Sequence, residues 1–198
     1  MRLTEPEFKA MNTALRRFVQ RTIEFPIFRS LGLKTNPGHM LEIGCGSGFG
    51  ATLLLSLKPA SYIGIDLMPE QIALAQKHQF PNADFRLQDA TNLSCFEDGS
   101  KDTIVIFGAL HHIPAWQLVV RESYRVLCPG GMLFIEEPGA EILISFERIF
   151  HWGHPDTNLF TLKTFEAYLE SCGFSITSKR YFVGFGSYAA QKLIQAES

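Results

Sequence analysis

The sequence predicts an α/β fold: a mostly parallel sheet with helices on both faces. Three observations predict it. Short apolar runs alternate with helical patterns between residues 39 and 136, which is how strands joined by right-handed helical crossovers read. A glycine-rich turn, Gly44-Cys45-Gly46-Ser47-Gly48, closes the first of those runs and opens a helix. Two last apolar runs are joined by only four residues, too few for a crossover, so they must pair antiparallel. Hydrophobic residues make up 46% of the 198 and charged residues 19%, an ordinary globular composition that excludes global disorder.

The elements follow in order. Phe8, Met11, Leu15, Phe18, Val19 and Ile23 recur at helical spacing, which predicts one amphipathic helix ended by Pro26. Arg16, Arg17 and Arg21 lie on its other sides. The apolar stripe needs a partner, either the main body or, as a lid, the mouth of a site. The turn Asn36-Pro37-Gly38 separates a helical extension over 1–37 from the main unit over 38–198. Strands are expected at His39–Gly44, Ser61–Asp66, Asp84–Gln88, Asp102–Phe107 and Met132–Glu136, with helices over about 48–58, 69–78 and 114–127. Cys128-Pro129-Gly130-Gly131 reads as a helix stop. Helical patterns over 141–151 and 162–172 precede the final pair, Phe174–Phe182 and Ser187–Ile194.

Charge and cysteine content narrow the function. The net charge of −2 argues against a dedicated nucleic-acid binder. It is unevenly spread: residues 1–37 hold seven Lys or Arg and three Glu, a net +4, against eleven basic and seventeen acidic residues in the rest, a net −6. Cys45, Cys95, Cys128 and Cys172 show neither metal-ligand spacing nor a disulfide framework. No secretory signal or spanning segment is visible, which makes the cytoplasm the expected location and leaves a peripheral membrane contact of the basic helix as the only membrane role.

The glycine turn lets backbone N–H groups at a helix start approach a ligand. Gly46-x-Gly48-x-x-Ala51 also satisfies a dinucleotide fingerprint. Asp66 ends the second strand twenty residues after Gly46, where a carboxylate can accept from both ribose hydroxyls or cap the following helix. Asp89 ends the third strand and can accept from an adenine amino group or simply close a loop.

These segments together carry a resemblance. Leu41-Glu-Ile-Gly-Cys-Gly-Ser-Gly48, Ile63-Gly-Ile-Asp66, Gln88-Asp89-Ala90, Phe107-Gly-Ala-Leu-His-His-Ile113 and Arg125-Val-Leu-Cys-Pro-Gly-Gly131 resemble the class I, Rossmann-like S-adenosylmethionine-dependent methyltransferases, in family order. The resemblance implies seven strands in the order 3-2-1-4-5-7-6 with the last antiparallel, and S-adenosylmethionine as cofactor. It implies that Glu42, Gly44, Cys45, Gly46 and Gly48 surround the methionine part. Asp66 and the adjacent Leu67 would hold the ribose, Asp89 and Ala90 the adenine, with Phe107 and Gly108 along the other side. The fourth strand lacks the Asn/Asp-Pro-Pro-Tyr ending of methylases acting on DNA bases, and no metal set of the catechol-methylating type is present.

The expected reaction is therefore methyl transfer to a small-molecule acceptor, an apolar one being suggested by the Phe-rich segments. In-line displacement at a sulfonium releases a neutral group, so alignment is the main demand, and a base is needed only for a tightly held proton. Candidates for that base are His111, Glu136 and His154, with His112, Glu137 and His151 beside them. A non-catalytic cofactor-binding protein of this fold, and an NAD-dependent oxidoreductase, are the competing readings.

Overall fold

In the computed structural model, which describes residues 4–150 and 159–194, seven strands form one sheet. They are β1 (His39–Ile43), β2 (Ser61–Asp66), β3 (Ala83–Leu87), β4 (Lys101–Phe107), β5 (Leu127–Pro138), β6 (Phe174–Phe182) and β7 (Phe185–Lys192). Their order is β3-β2-β1-β4-β5-β7-β6. The first five run parallel, and β7 is antiparallel to both β5 and β6. The seven-stranded Rossmann-like fold expected from the sequence is therefore present.

The helices connecting the strands are α4 (Phe49–Leu54), α5 (Pro69–Gln76), α6 (Trp116–Val126), α7 (Ala140–Phe150) and α8 (Leu162–Ser171). Each face of the sheet buries its own apolar layer. One gathers Ile43, Ile65, Ile104, Ile106, Leu133 and Ile135 with Trp116 and Phe165. The other gathers Met40, Leu54, Tyr62, Phe85, Val105 and Phe134 with Phe28. Near-continuous apolar strands are what burial on both faces requires. Arg125 ties α6 to the loop after β3, donating to the carbonyls of Leu93 and Phe96 at 2.8 and 3.0 Å and pairing with Glu122 and Asp98.

Two regions depart from expectation. The N-terminal segment is not one helix ended by Pro26. It is α1 (Glu5–Met11), α2 (Ala14–Val19), a π-turn (Gln20–Glu24) and α3 (Phe25–Ser30). Thr13 breaks it by capping α2, its hydroxyl accepting from Arg16 N at 3.1 Å. Pro26 does not stop the chain, because the π-turn sends the Phe25 N–H back to the Gln20 carbonyl. That places Pro26 in the first turn of α3, where no N–H is needed. The second departure is Cys128-Pro129-Gly130-Gly131. It ends α6 as expected but already belongs to β5, because Leu127 pairs with Lys101 before a bulge.

Candidate functional site

Ligands of open α/β sheets sit outside the carboxyl ends of the strands, and a cavity of about 380 Å³ lies there. Its floor is the turn after β1. Gly44, Gly46 and Gly48 all have positive φ (71°, 52° and 81°), a conformation that disfavours side chains. At Gly44 space is also closed, since a Cβ would stand 2.6 Å from Ala109 Cβ. Gly48 begins α4 in the left-handed conformation, but it lies outside the cavity wall, against Ala75 and Phe85.

Asp66 ends β2 beside this turn. Its Oδ2 accepts from Gly46 N at 3.0 Å and its Oδ1 from Met68 N at 2.9 Å. Burial raises its pKa, opposed by those backbone donors. Each oxygen keeps a second lone pair for a ligand hydroxyl. Leu67, Asp89 and Ala90 continue the wall. Asp89 is exposed and its Oδ1 accepts from both the N–H and the hydroxyl of Thr91, at 2.8 and 2.7 Å. Cys45 is buried, which holds its thiol protonated well above the ordinary range.

Glu42 lines the deepest part. It is 1% exposed, and the Tyr62 hydroxyl donates to it. Burial pushes its pKa up to about 8, more than the Tyr62 hydrogen bond lowers it. Gly50 permits this placement, because any Cβ there would collide with the Glu42 carboxylate.

The opposite wall comes from Phe107, Gly108, Ala109 and the turn 112–115, with Met11, Arg16 and Gln20 of the N-terminal segment. Arg16 Nη1 pairs with Glu24 at 2.7 Å, and Nη2 reaches the Phe107 carbonyl at 3.5 Å. The arrangement fits S-adenosylmethionine in its chemistry: a glycine turn with side-chain-free backbone at Gly46, the Asp66 carboxylate beside it, and the Arg16–Glu24 pair in the facing wall.

The base candidates separate. His111 is turned away from the cavity, its Nδ1 2.8 Å from Glu137 Oε2. Glu137 is fully buried and also accepts from the N–H groups of Ala109, Leu110 and His111, so it pins the turn after β4. Burial lifts its pKa to about 8 against those three donors. His112, not His111, lines the cavity, with Glu7 of α1 3.9 Å from its Nδ1. Glu136 is buried near Glu24 and Arg16. Its Oε2 has no hydrogen-bond partner among the described residues, and burial and the Glu24 charge hold its pKa well above the carboxylate range. His154 and His151 lie outside the described residues. Among the described residues no group of three His, Cys, Asp or Glu is placed to hold a metal ion.

Sequence reading missed Met11 and Gln20 as wall residues, whereas it set Arg16, with Arg17 and Arg21, on the helix offered as a lid over the mouth. Arg16 and Gln20 share one side of a helical turn at i and i+4, a signal that the sequence carried but that only the folded-back segment made meaningful.

Fold and cavity define a nucleotide-type ligand site of the Rossmann-like class. Residues 41–135 match the model of the methyltransferase domain. A phthiotriol/phenolphthiotriol dimycocerosates methyltransferase of Mycobacterium leprae is 45% identical over 97 residues, covering 48% of this chain and 36% of that one. A ubiquinone biosynthesis O-methyltransferase of Xanthomonas euvesicatoria is 31% identical over 109 residues, covering 54% and 45%. The alignments thus span well under half the length of these curated relatives. A solved SAM-dependent methyltransferase of Methanosarcina mazei is 28% identical with a TM-score of 0.69, over 86% of this chain and 98% of that one. One from Aquifex aeolicus, at 19% identity, has a TM-score of 0.76 over 97% and 100%. Residues 41–135 thus carry a methyltransferase domain, and the fold is that of the class I S-adenosylmethionine-dependent methyltransferases.

Proposed function

We propose that the chain binds S-adenosylmethionine and transfers its methyl group to a small-molecule acceptor of apolar character. The observation that carries this reading is the convergence on one cavity of the glycine turn, Asp66 and the Asp89-Ala90 step from three successive strand ends. When bound, the cofactor supplies an electrophilic methyl whose departure leaves a neutral thioether.

The residues then divide the work. The N–H groups of the glycine turn, with Glu42 behind them, hold the methionine part. Asp66 and Leu67 hold the ribose, and Asp89 and Ala90 the adenine. Phe107 and Gly108 close the other side. Buried apolar walls keep water from the reacting centre, and orientation of the acceptor can supply roughly 7–11 kcal/mol of barrier lowering. The acceptor enters between the turn 112–115 and the N-terminal helices, where Met11, Ile113 and Pro114 offer apolar contact. Relatives named for phthiotriol dimycocerosates and for ubiquinone biosynthesis support a small-molecule acceptor. So does the net charge of −2, which favours it over nucleic acid. Four unpaired cysteines accord with a cytoplasmic setting. Residues 1–37 act as an extension completing the site of the 38–198 unit.

The test has two parts. At a hundredfold excess over the dissociation constant, S-adenosylmethionine or its demethylated product should stabilise the fold by about 2.7 kcal/mol, a rise of roughly 5–10 °C in Tm. Labelled cofactor with a panel of apolar acceptors should then yield methylated product. A melt shifted by NAD and by neither cofactor form would overturn the reading. A cofactor shift with no acceptor methylated would leave a binding protein of the same fold.

A further inference from the structure

Most large apolar residues of the chain are buried, and among the exposed ones two groups lie towards one end of the molecule. On α2, Leu15 and Phe18 are 71% and 61% exposed. At the turn between β6 and β7, Phe182 and Val183 are 60% and 68% exposed. Neither group belongs to the core, which takes Phe28, Leu31 and Leu33 from the N-terminal segment.

Topology brings the groups to one side. Arg16, the neighbour of Leu15, touches the carbonyl that ends β4. Phe185 starts β7 opposite Pro138, the end of β5, so the β6–β7 turn also lies at the carboxyl ends of the parallel strands. β7 is next to β5 and β5 next to β4. Both apolar groups therefore flank the end of the sheet where the cavity opens.

Each group is bordered by cations. Arg17 and Arg21 are exposed one helical turn apart beside Phe18, and Arg180 is exposed two residues before Phe182. The acidic groups near the second patch are Glu166, paired with Lys179 at 2.6 Å, and Glu141 at the start of α7. Residues 1–37 carry a net +4 on a chain of net −2, and the exposed Arg17 and Arg21 belong to that excess. Apolar side chains ringed by arginine suit an anionic bilayer: the apolar groups enter the interface and the cations meet lipid headgroups. No described helix is long and apolar enough to cross it.

We propose that α2 and the β6–β7 turn dock the protein on an anionic bilayer surface, with the cavity mouth facing the lipid. The proposal deepens the methyl-transfer reading, on which it rests for one consequence only: the acceptor is an amphiphile drawn from the bilayer.

Vesicle sedimentation tests the docking without turnover. The full chain should bind vesicles of phosphatidylglycerol and phosphatidylcholine, bind pure phosphatidylcholine much less, and release as salt is raised. R17Q and R21Q should each weaken partition about fivefold. A double variant, Phe18→Ser with Phe182→Ser, should abolish it while keeping the wild-type melting temperature and cofactor shift. Equal binding to both vesicle types, no binding at low salt, or unchanged binding of the double variant would overturn the proposal. So would light scattering that finds a dimer for the wild type and a monomer for the double variant, since the patch would then be covered by a second copy. Failure of the wild-type cofactor shift would strike the methyl-transfer reading and leave the docking result standing.

Discussion

The two walls of the cavity are built by different means. The wall assigned to the cofactor comes from three adjacent strand ends within residues 42–90 and includes Gly44, Gly46 and Gly50. The facing wall combines the end of β4 and the turn after it with side chains from a segment nearly a hundred residues upstream, Met11, Arg16 and Gln20. The first is dictated by turn geometry and tolerates few residues. The second is held by packing and by buried charge, and its chemistry is free to vary. A site of this kind can keep its cofactor while changing its acceptor.

The sharpest way to break that contrast is at Phe28. It is fully buried, with ring centroids 5.0 Å from Phe107 and 6.1 Å from Phe134. Phe28→Ala should cost about 3–5 kcal/mol of stability, read by urea denaturation, whereas Leu15→Ala should stay within about 0.5 kcal/mol. The N-terminal segment would then be core at α3 and surface at α2. A Phe28→Ala protein within 1 kcal/mol of wild type, on the same scale, would show that the segment only lies on the sheet.

Next in size is Asp66. Removing its carboxylate takes away a charged acceptor and should weaken cofactor binding by about 1.5–3 kcal/mol. It also frees the Gly46 and Met68 N–H groups, so a melt must accompany the calorimetry. Unchanged affinity in a folded Asp66→Ala protein would remove it from the site.

These two residues also mark what the sequence made legible. The place of Asp66 at the cavity could be read because it depends on a fixed distance from a glycine turn, and local spacing is written in the chain. The antiparallel last pair was legible from its four-residue connection, and the strand order followed from the family resemblance. Phe28 and Arg16 could not be placed, because the Phe107 ring and carbonyl that they meet become neighbours only after the segment folds back. The π-turn that carries the chain past Pro26 was hidden as well, since a proline in a helical pattern ordinarily ends it. His111 and His112 are adjacent in sequence. Only the buried Glu137 decides which one turns inward, and burial of a carboxylate does not show in a motif.

The charge on the two walls gives a third test. Burial raises Glu42 to about 8, from an unfolded value of about 4.3. A buried acid with a raised pKa is protonated when folded and ionised when unfolded between those values. The folded state then binds more protons, so stability is full below the unfolded pKa and falls as pH rises towards 8, by up to about 1.4 kcal/mol per unit. Glu136 and Glu137 contribute in the same direction. Tm should therefore fall between pH 5 and about 8, and Glu42→Gln should fall less steeply. Parallel curves for the two proteins would show that Glu42 ionises freely in the fold.

The smallest effect belongs to Asp89, and it separates two explanations of one carboxylate. Its Oδ1 closes a turn onto the Thr91 N–H and hydroxyl, Oδ2 takes no part in that turn, and the residue lines the cavity. If the turn alone matters, Asp89→Asn should match wild type in both stability and cofactor affinity, because the amide oxygen still accepts from Thr91. If Oδ2 accepts from the adenine amino group, the same substitution places a donor against a donor. Asp89→Asn should then lose affinity about as much as Asp89→Ala while keeping its melting temperature. The expected loss is about 0.5–1.5 kcal/mol, modest because Asp89 is exposed and water competes for the contact. Calorimetry of the two variants side by side decides it: equal losses assign Asp89 to the adenine, and a loss confined to Asp89→Ala assigns it to the turn.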